Sequence, residues 1–235
     1  LTFTREALEF LVTNYCRESG VRSLQKKILS IAEKVAHKSV QEEEKAEEKV
    51  SSAPTEVTVD MISDFIGKAR FTQDTIYNSE DEALPPGVVM GLAWNIMGGS
   101  PIFIETVGTT VASSEYGGGV NVVTGQLGNV MKESVNIAYT FARNYIQKID
   151  ADNDFFKRHQ LHLHVPEGAV EKDGPSAGVA LVTALVSLLS DRSARNNVAM
   201  TGEISLRGRV LPVGGIKGKL LAASRAGIDT VVIPK

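Results

Sequence analysis

A serine, two lysines and a pair of histidines stand where hydrolytic chemistry is possible. Ser176 lies in Gly174-Pro175-Ser176-Ala177-Gly178. Ahead of it, Leu161-His162-Leu163-His164-Val165 alternates apolar and polar residues, the period of a strand with one buried face. Behind it, Ala177 to Leu189 is almost wholly apolar and predicts a buried helix. Pro175 suits the first turn of that helix, where its missing N–H has no intrahelical partner to lose. Ser176 is therefore expected at a helix N-terminus, among free backbone N–H groups and the positive end of the helix dipole. Its small neighbours leave room for another backbone to approach. The turn suits a nucleophile, and it also suits a phosphate or plain packing.

A nucleophilic serine needs a base to take its proton. His162, His164 and Asp173 offer the His-Asp route, although the long turn before Ser176 does not guarantee contact. The two histidines share one strand face, and no further His/Cys cluster completes a zinc site. Lysine is the other base, provided burial keeps it neutral. Lys217 and Lys219 lie on a helix starting near Ile216, whose stripe is Ile216, Leu220, Ala223 and Gly227. Lys219 sits beside that stripe and is the better candidate for burial, with Thr201 available to hold its amine. The run Gly214-Gly215-Ile216-Lys217-Gly218-Lys219-Leu220 imitates a phosphate loop. Its first glycine is one residue too close, and Leu220 stands where magnesium needs Ser or Thr.

The elements that must position these groups follow from composition and pattern. With 235 residues, 43% hydrophobic and 23% charged, the chain reads as ordinary globular material for one large or two smaller domains. A net charge of −3 gives no general pull toward nucleic acid or anionic membrane. Cys16 stands alone, so no internal disulfide is expected and a reducing compartment fits. No signal or transit peptide is expected, and the apolar run Val179–Leu189 is too short to cross a bilayer.

Residues 1–40 predict two amphipathic helices. Thr4 caps the first, with Leu8, Leu11, Val12 and Tyr15 on its face; Leu24, Ile28, Ile31 and Val35 line the second. A Glu/Lys-rich segment, 41–56, reads as an exposed mobile insertion. Val57 to Val59 reads as a strand and Asp60 as the cap of a helix closing at Gly67. Residues 72–86, ending in Pro85-Pro86, predict a linker. Beyond it come β-rich runs at 88–94, 102–107 and 120–123, with loops at 97–101 and at the glycines 117–119. A helix follows at 129–147 with Val130, Ser134, Ile137, Phe141 and Tyr145 on one side. A hairpin around Arg207-Gly208 and a last strand at 230–233 complete the pattern. The mixture favours an α+β domain.

The ordered signatures carry a resemblance. Lys172 to Gly178, Met200-Thr201-Gly202-Glu203 and Leu211 to Lys219 are similar to successive motifs of the Lon protease catalytic domain. Pro86 to Trp94, Thr124 to Gly128 and Gly20 to Leu24 match as well, so the likeness covers nearly the whole chain. The resemblance implies an ATP-dependent serine endopeptidase with a Ser-Lys dyad: Ser176 as nucleophile and Lys219 as base. Thr201 matches the residue that positions the lysine, Asp173 the aspartate bearing on whether the site is open, and His164 (with His162) supporting residues. It implies a Lon-type α+β domain at 87–235, preceded at 1–71 by the end of the small α-domain of an AAA+ module, with Arg22 as its sensor-2-like arginine. ATP and Mg would serve the full-length protein and not this part alone, which lacks Walker motifs. Unfolded or damaged proteins would be the substrates, a homohexameric ring the assembly, and neither membrane nor nucleic acid a partner. Leu127 to Ser134 and Ala138 to Arg143 resemble mitochondrial members more than bacterial ones, implying the mitochondrial matrix over a bacterial cytoplasm. The chain departs from the family at Asn129 and Gly218, where glutamate is usual, and at Val170-Glu171, where Thr-Pro is usual. It is expected to be a fragment, its catalytic domain incomplete at Lys235. A catalytically silent assembly or chaperone domain is the alternative.

Overall fold

The computed structural model describes residues 1–16, 18, 20–45, 55–69, 77, 83–95, 98–110, 119–166 and 171–235, with backbone alone at 42–45 and 95. The chain divides into two compact units, Leu1–Ile76 and Tyr77–Lys235. Most of the expected insertion, most of the expected linker, Met97, Gly117, Gly118 and Val170 lie outside the described residues.

In the first unit, β1 (Thr2–Phe3) pairs in parallel with β2 (Glu56–Val57), beside helices α1 (Arg5–Tyr15), α2 (Arg22–Lys45) and α3 (Val59–Ile66). Thr4 caps α1 as its position predicts, its Oγ1 accepting the Ala7 N–H at 3.1 Å. The buried stripe is Ala7, Leu11 and Tyr15, facing Ile31, Val35, Val57 and Ile62. Leu8 and Val12 are exposed instead, because the small Ala7 lets the helices approach on that side. Three corrections follow. Residues 41–45 continue α2, as strong helix formers do, and do not begin a loop. Val59 opens α3, and Thr58 holds its N-cap position. Asp60 sits one place inside the helix, where its charge meets the dipole without capping it.

The second unit is built on a six-stranded mixed sheet of order β10-β7-β3-β4-β6-β5. Its strands are β3 (Val88–Asn95), β4 (Gly98–Thr110), β5 (Val120–Thr124), β6 (His159–His164), β7 (Val198–Met200) and β10 (Thr230–Val232). The hairpin β8 (Glu203–Ile204) and β9 (Val210–Leu211) stands apart. Helices α4 (Asn129–Ile149), α5 (Phe155–Arg158), α6 (Gly178–Ser190) and α7 (Ile216–Arg225) complete the unit. Period-2 patterning splits the sheet faces. Val89, Ile104, Leu161 and Leu163 turn toward α4 and α6, and Met90, Leu92 and Ala199 turn toward Ala223 of α7. This is the α+β architecture that the mixed pattern predicts.

The face of α4 differs from the expected one by one residue. Met131, Ser134, Val135, Ala138, Ala142 and Ile146 are buried, whereas Val130 and Tyr145 are exposed. Alanines 138 and 142 share a core with Ala180 and Ala184, so small residues at the helix contact override the larger apolar ones beside them.

The entry to the sheet is anchored by buried polar groups. Leu84 N–H donates to Ala194 O at 2.7 Å, and Gly87 N–H to Ser187 Oγ at 3.0 Å. Ser187 in turn donates to Arg192 O at 2.6 Å. Removing a hydroxyl that satisfies two buried backbone groups costs about 1–3 kcal/mol. Ser187→Ala is therefore expected to destabilise the 77–235 unit by that amount in urea unfolding, and an unchanged midpoint would contradict this anchor.

Candidate active site

The strand-to-helix turn forms as its sequence predicts. Gly174, at φ +117°, reverses the chain into a single 3-10 turn, Pro175–Ala177, and α6 begins at Gly178. A side chain at Gly174 would be strained by that φ, so the glycine is needed for the turn itself. Ser176 is half-buried on it. Its carbonyl oxygen accepts two hydrogen bonds, from Gly202 N–H at 2.8 Å and from Thr201 Oγ1 at 3.1 Å. The turn is thus fastened to the end of β7.

Thr201 is 1% exposed and Lys219 2%. The Lys219 Nζ donates to Thr201 Oγ1 at 2.9 Å. One hydroxyl therefore gives its proton to the Ser176 carbonyl and receives the lysine on a lone pair, a full use of its single donor. Burial pushes the Lys219 amine below the usual lysine value of 10.5, because the charged form loses its hydration. Among the described residues the Ser176 hydroxyl makes no hydrogen bond to that amine.

The position of Lys219 corrects the expected stripe of α7. The buried members are Lys219, Ala222 and Ala223, while Leu220 and Leu221 face outward. The lysine lies on the packed face and not beside it. Alanines bring α7 close to the sheet, and the lysine stem fills the space between. Lys217 is exposed.

The other sequence candidates lie elsewhere. His162 and His164 project from the sheet face opposite Leu161 and Leu163, and both meet the Thr124 hydroxyl, at 2.9 and 2.6 Å. Neither hydrogen-bonds Ser176 or Lys219 among the described residues, so the His-Asp route is not assembled. Asp173 is engaged at α4: its Oδ1 accepts Met131 N–H at 3.0 Å and Gly174 N–H at 2.9 Å. Gly128, the residue before α4, has no side chain to cap with, and Asp173 supplies the acceptor from 42 residues along the chain from Met131. Lys172 reinforces the tie. Its N–H bonds Gln126 O at 3.0 Å, its carbonyl accepts Gly128 N–H at 2.8 Å, and its buried Nζ reaches Gly125 O at 3.1 Å. Arg22 opens α2 in an exposed position, next to a Glu18 carboxylate that accepts the Ser23 and Leu24 N–H groups at 2.7 and 2.9 Å.

Two phosphate readings lose their geometry. At the serine turn, Gly174, Gly178 and Val179 N–H are bonded to Asp173, Pro175 and Gly202, and the adjacent Asp173 carboxylate repels an anion. At Gly214–Leu220, Lys219 points to Thr201 in the interior. Among the described residues no group of three or more His, Cys, Asp or Glu is placed to hold a metal ion.

The fold is that of the Lon protease proteolytic and lid domains. The family model of the Lon protease (S16) C-terminal proteolytic domain matches residues 56–235, and that of the Lon protease AAA+ ATPase lid domain matches residues 1–50. The chain belongs to the Lon protease family. It is 51% identical over 233 residues to a mitochondrial Lon protease homolog of Bos taurus and 49% over 232 residues to that of Homo sapiens, each match covering 97% of this chain and 23% of the relative. It is 45% identical over 235 residues to a Lon protease of Desulfosudis oleivorans, covering 100% of this chain and 27% of the relative. The chain spans about a quarter of the length of these relatives. Although the proteolytic-domain match begins at residue 56, Val57 and Ile62 pack into the core of the helical unit.

Two stability outcomes follow. Asp173→Ala is expected to cost about 1 kcal/mol through the lost cap, and Asp173→Asn much less; equal losses would contradict the capping role. For Lys219, the folded state binds fewer protons than the unfolded chain between its lowered value and 10.5. Wild-type stability then falls as pH drops through that window, by roughly 1.4 kcal/mol for each pH unit crossed. Lys219→Met removes this fall, so its advantage in thermal melts should grow from pH 10.5 downward; a pH-independent difference would contradict burial of an ionisable amine.

Proposed function

We propose that this chain carries the proteolytic machinery of an ATP-dependent serine endopeptidase, with Ser176 as nucleophile and Lys219 as general base. The observation that supports it most is the buried amine of Lys219 held on Thr201, whose hydroxyl is bonded to the backbone of Ser176. A lysine kept from water is neutral at lower pH than an exposed one, and only the neutral amine can accept a proton.

The steps follow from that geometry. A peptide carbonyl carbon settles over Ser176, and Lys219 takes the hydroxyl proton as Oγ attacks. This requires Nζ within about 3 Å of Oγ in the substrate complex. Of the backbone N–H groups at the turn, those not already bonded to Asp173, Pro175 and Gly202 stabilise the tetrahedral oxyanion. The lysine ammonium then protonates the departing amine, the C–N bond breaks, and an acyl-serine remains. Water attacks that ester and gives its proton to Lys219, which passes it to Ser176 Oγ as the ester C–O bond breaks, and the carboxylic acid product leaves. Thr201 positions the base throughout. Asp173 holds the serine loop on α4, and the His162–Thr124–His164 cluster supports the neighbouring end of β5.

In the longer protein, residues 1–71 would end the small α-domain of an AAA+ module, 72–86 would link it, and 87–235 would be the protease. The lid match supports this. This chain has no Walker loop to hold ATP and Mg, so its part in nucleotide use is confined to Arg22, exposed at the start of α2. Unfolded or damaged proteins would be the substrates of a hexameric ring in the mitochondrial matrix; for the mitochondrion alone, the names of the bovine and human relatives give support. A catalytically silent assembly domain is not favoured, since the Lys219–Thr201–Ser176 linkage is intact.

The test is cleavage of an unstructured fluorogenic peptide by the full-length protein. Ser176→Ala and Lys219→Ala should each lower kcat at least about a hundredfold. Lys219→Arg should not rescue, because guanidinium stays protonated. The acidic limb of the wild-type profile should lie below the ordinary lysine value of 10.5. Normal cleavage by either alanine variant would refute the assignment.

A further inference from the structure

The first turn of α7, which carries Lys219, has little of its own to hold it. It begins at Gly215, in the left-handed region at φ +72°, without a side-chain cap and without an acidic residue in the turn. A ten-residue helix is marginal in water by itself. Yet it must keep an amine in the protein interior on one hydrogen bond. Something outside the helix has to press this turn down.

Two residues of the β3–β4 hairpin do so. On one side, a Cβ added to Gly99 would collide with the carbonyl of Gly218 and meet the Ala222 methyl at 3.0 Å, so strand and helix backbones are in direct contact. On the other side lies Trp94. A Cβ at Gly215 would fall 2.6 Å from the Trp94 Cγ, and one at Gly218 would overlap the six-membered edge of the indole. The indole therefore spans the glycines of the turn, its Cγ end at Gly215 and its six-membered ring at Gly218. Trp94 and Gly99 are register partners in the antiparallel pair of β3 and β4, so both contacts on this turn come from neighbouring positions of one strand pair. Trp94 is also 54% exposed, which is more than core packing explains for so large an apolar ring.

We propose that Trp94 is a positioning residue for Lys219: its indole, laid across Gly215 and Gly218, clamps the first turn of α7 against Gly99 and keeps the lysine amine directed at Thr201. Glycine at 218 is the condition of this contact. The inference rests on the reading of Lys219 as the base.

The experiment is peptide hydrolysis by the full-length protein across pH, with kcat and KM separated. Loosening the turn misplaces the amine and admits water to it. Trp94→Ala should lower kcat about tenfold to a hundredfold, as misplacement of a reacting group does. KM should stay level, and the acidic limb should move to higher pH toward that of a hydrated lysine. Trp94→Phe, which keeps a flat ring, should recover most of the rate. Gly218→Glu should reproduce the Trp94→Ala defect and add little to it when the two are combined. A loss confined to KM with the acidic limb unmoved would make Trp94 a substrate contact and overturn the proposal. So would unchanged kinetics, or additive losses in the double variant. Lys219→Ala, assayed alongside, separates the two claims: activity retained there refutes the base itself, whereas activity lost there with Trp94→Ala unaltered refutes only the clamp.

Discussion

The hydrogen bond from Lys219 to Thr201 is the contact on which the site depends. A lysine amine with 2% exposure gives up most of its hydration, and one hydroxyl at 2.9 Å is a small return for that loss. The neutral form suffers less, so burial lowers the pH at which the amine can act as a base. Thr201 transmits the same contact to Ser176, because its proton is committed to the Ser176 carbonyl. Three separate elements, the end of β7, the turn before α6 and the first turn of α7, therefore meet at one hydroxyl. Stability alone would favour an apolar side chain at 219. The lysine is better explained by chemistry than by folding.

The serine turn is held from both ends by bonds that leave the hydroxyl itself uncommitted to Lys219. On the upstream side, Lys172 joins the loop to residues 125–128, and Asp173 caps α4. On the downstream side, Ser176 O and Val179 N–H bond to Thr201 and Gly202. Such a loop loses little conformational freedom when a substrate arrives, which is how a preorganised site avoids an entropic cost during reaction. The Asp173 carboxylate also serves as a local anion beside the helix start, so the site that would otherwise attract phosphate is already satisfied.

Much of this was legible in the amino-acid sequence, and the rest was hidden for physical reasons. Pro175 between glycines marked the serine turn, because proline and glycine each demand a particular backbone there. The period-2 run through His162 and His164 marked β6 for the same kind of local reason. Lys219 could be preferred over Lys217 from helical geometry, yet the true packed face of α7 could not. That face is chosen by Gly99 and Trp94, which are more than a hundred residues away. The one-residue offset on α4 has the same origin, in alanines that allow closer approach than bulkier neighbours. Asp173 was singled out from the sequence, but not as a helix cap. The clue was Gly128, a capping position with no acceptor of its own, which required a partner from elsewhere in the chain.

The central claim is that Lys219 activates Ser176. A serine-directed peptide phosphonate tests it most directly, with the adduct located by mass spectrometry and its rate followed across pH. The account predicts a single adduct on Ser176 whose rate rises with pH along a limb below 10.5, and a loss of both adduct and limb in Lys219→Ala. Modification at another residue, or labelling of Ser176 that is as fast and has the same pH dependence without Lys219, would contradict it.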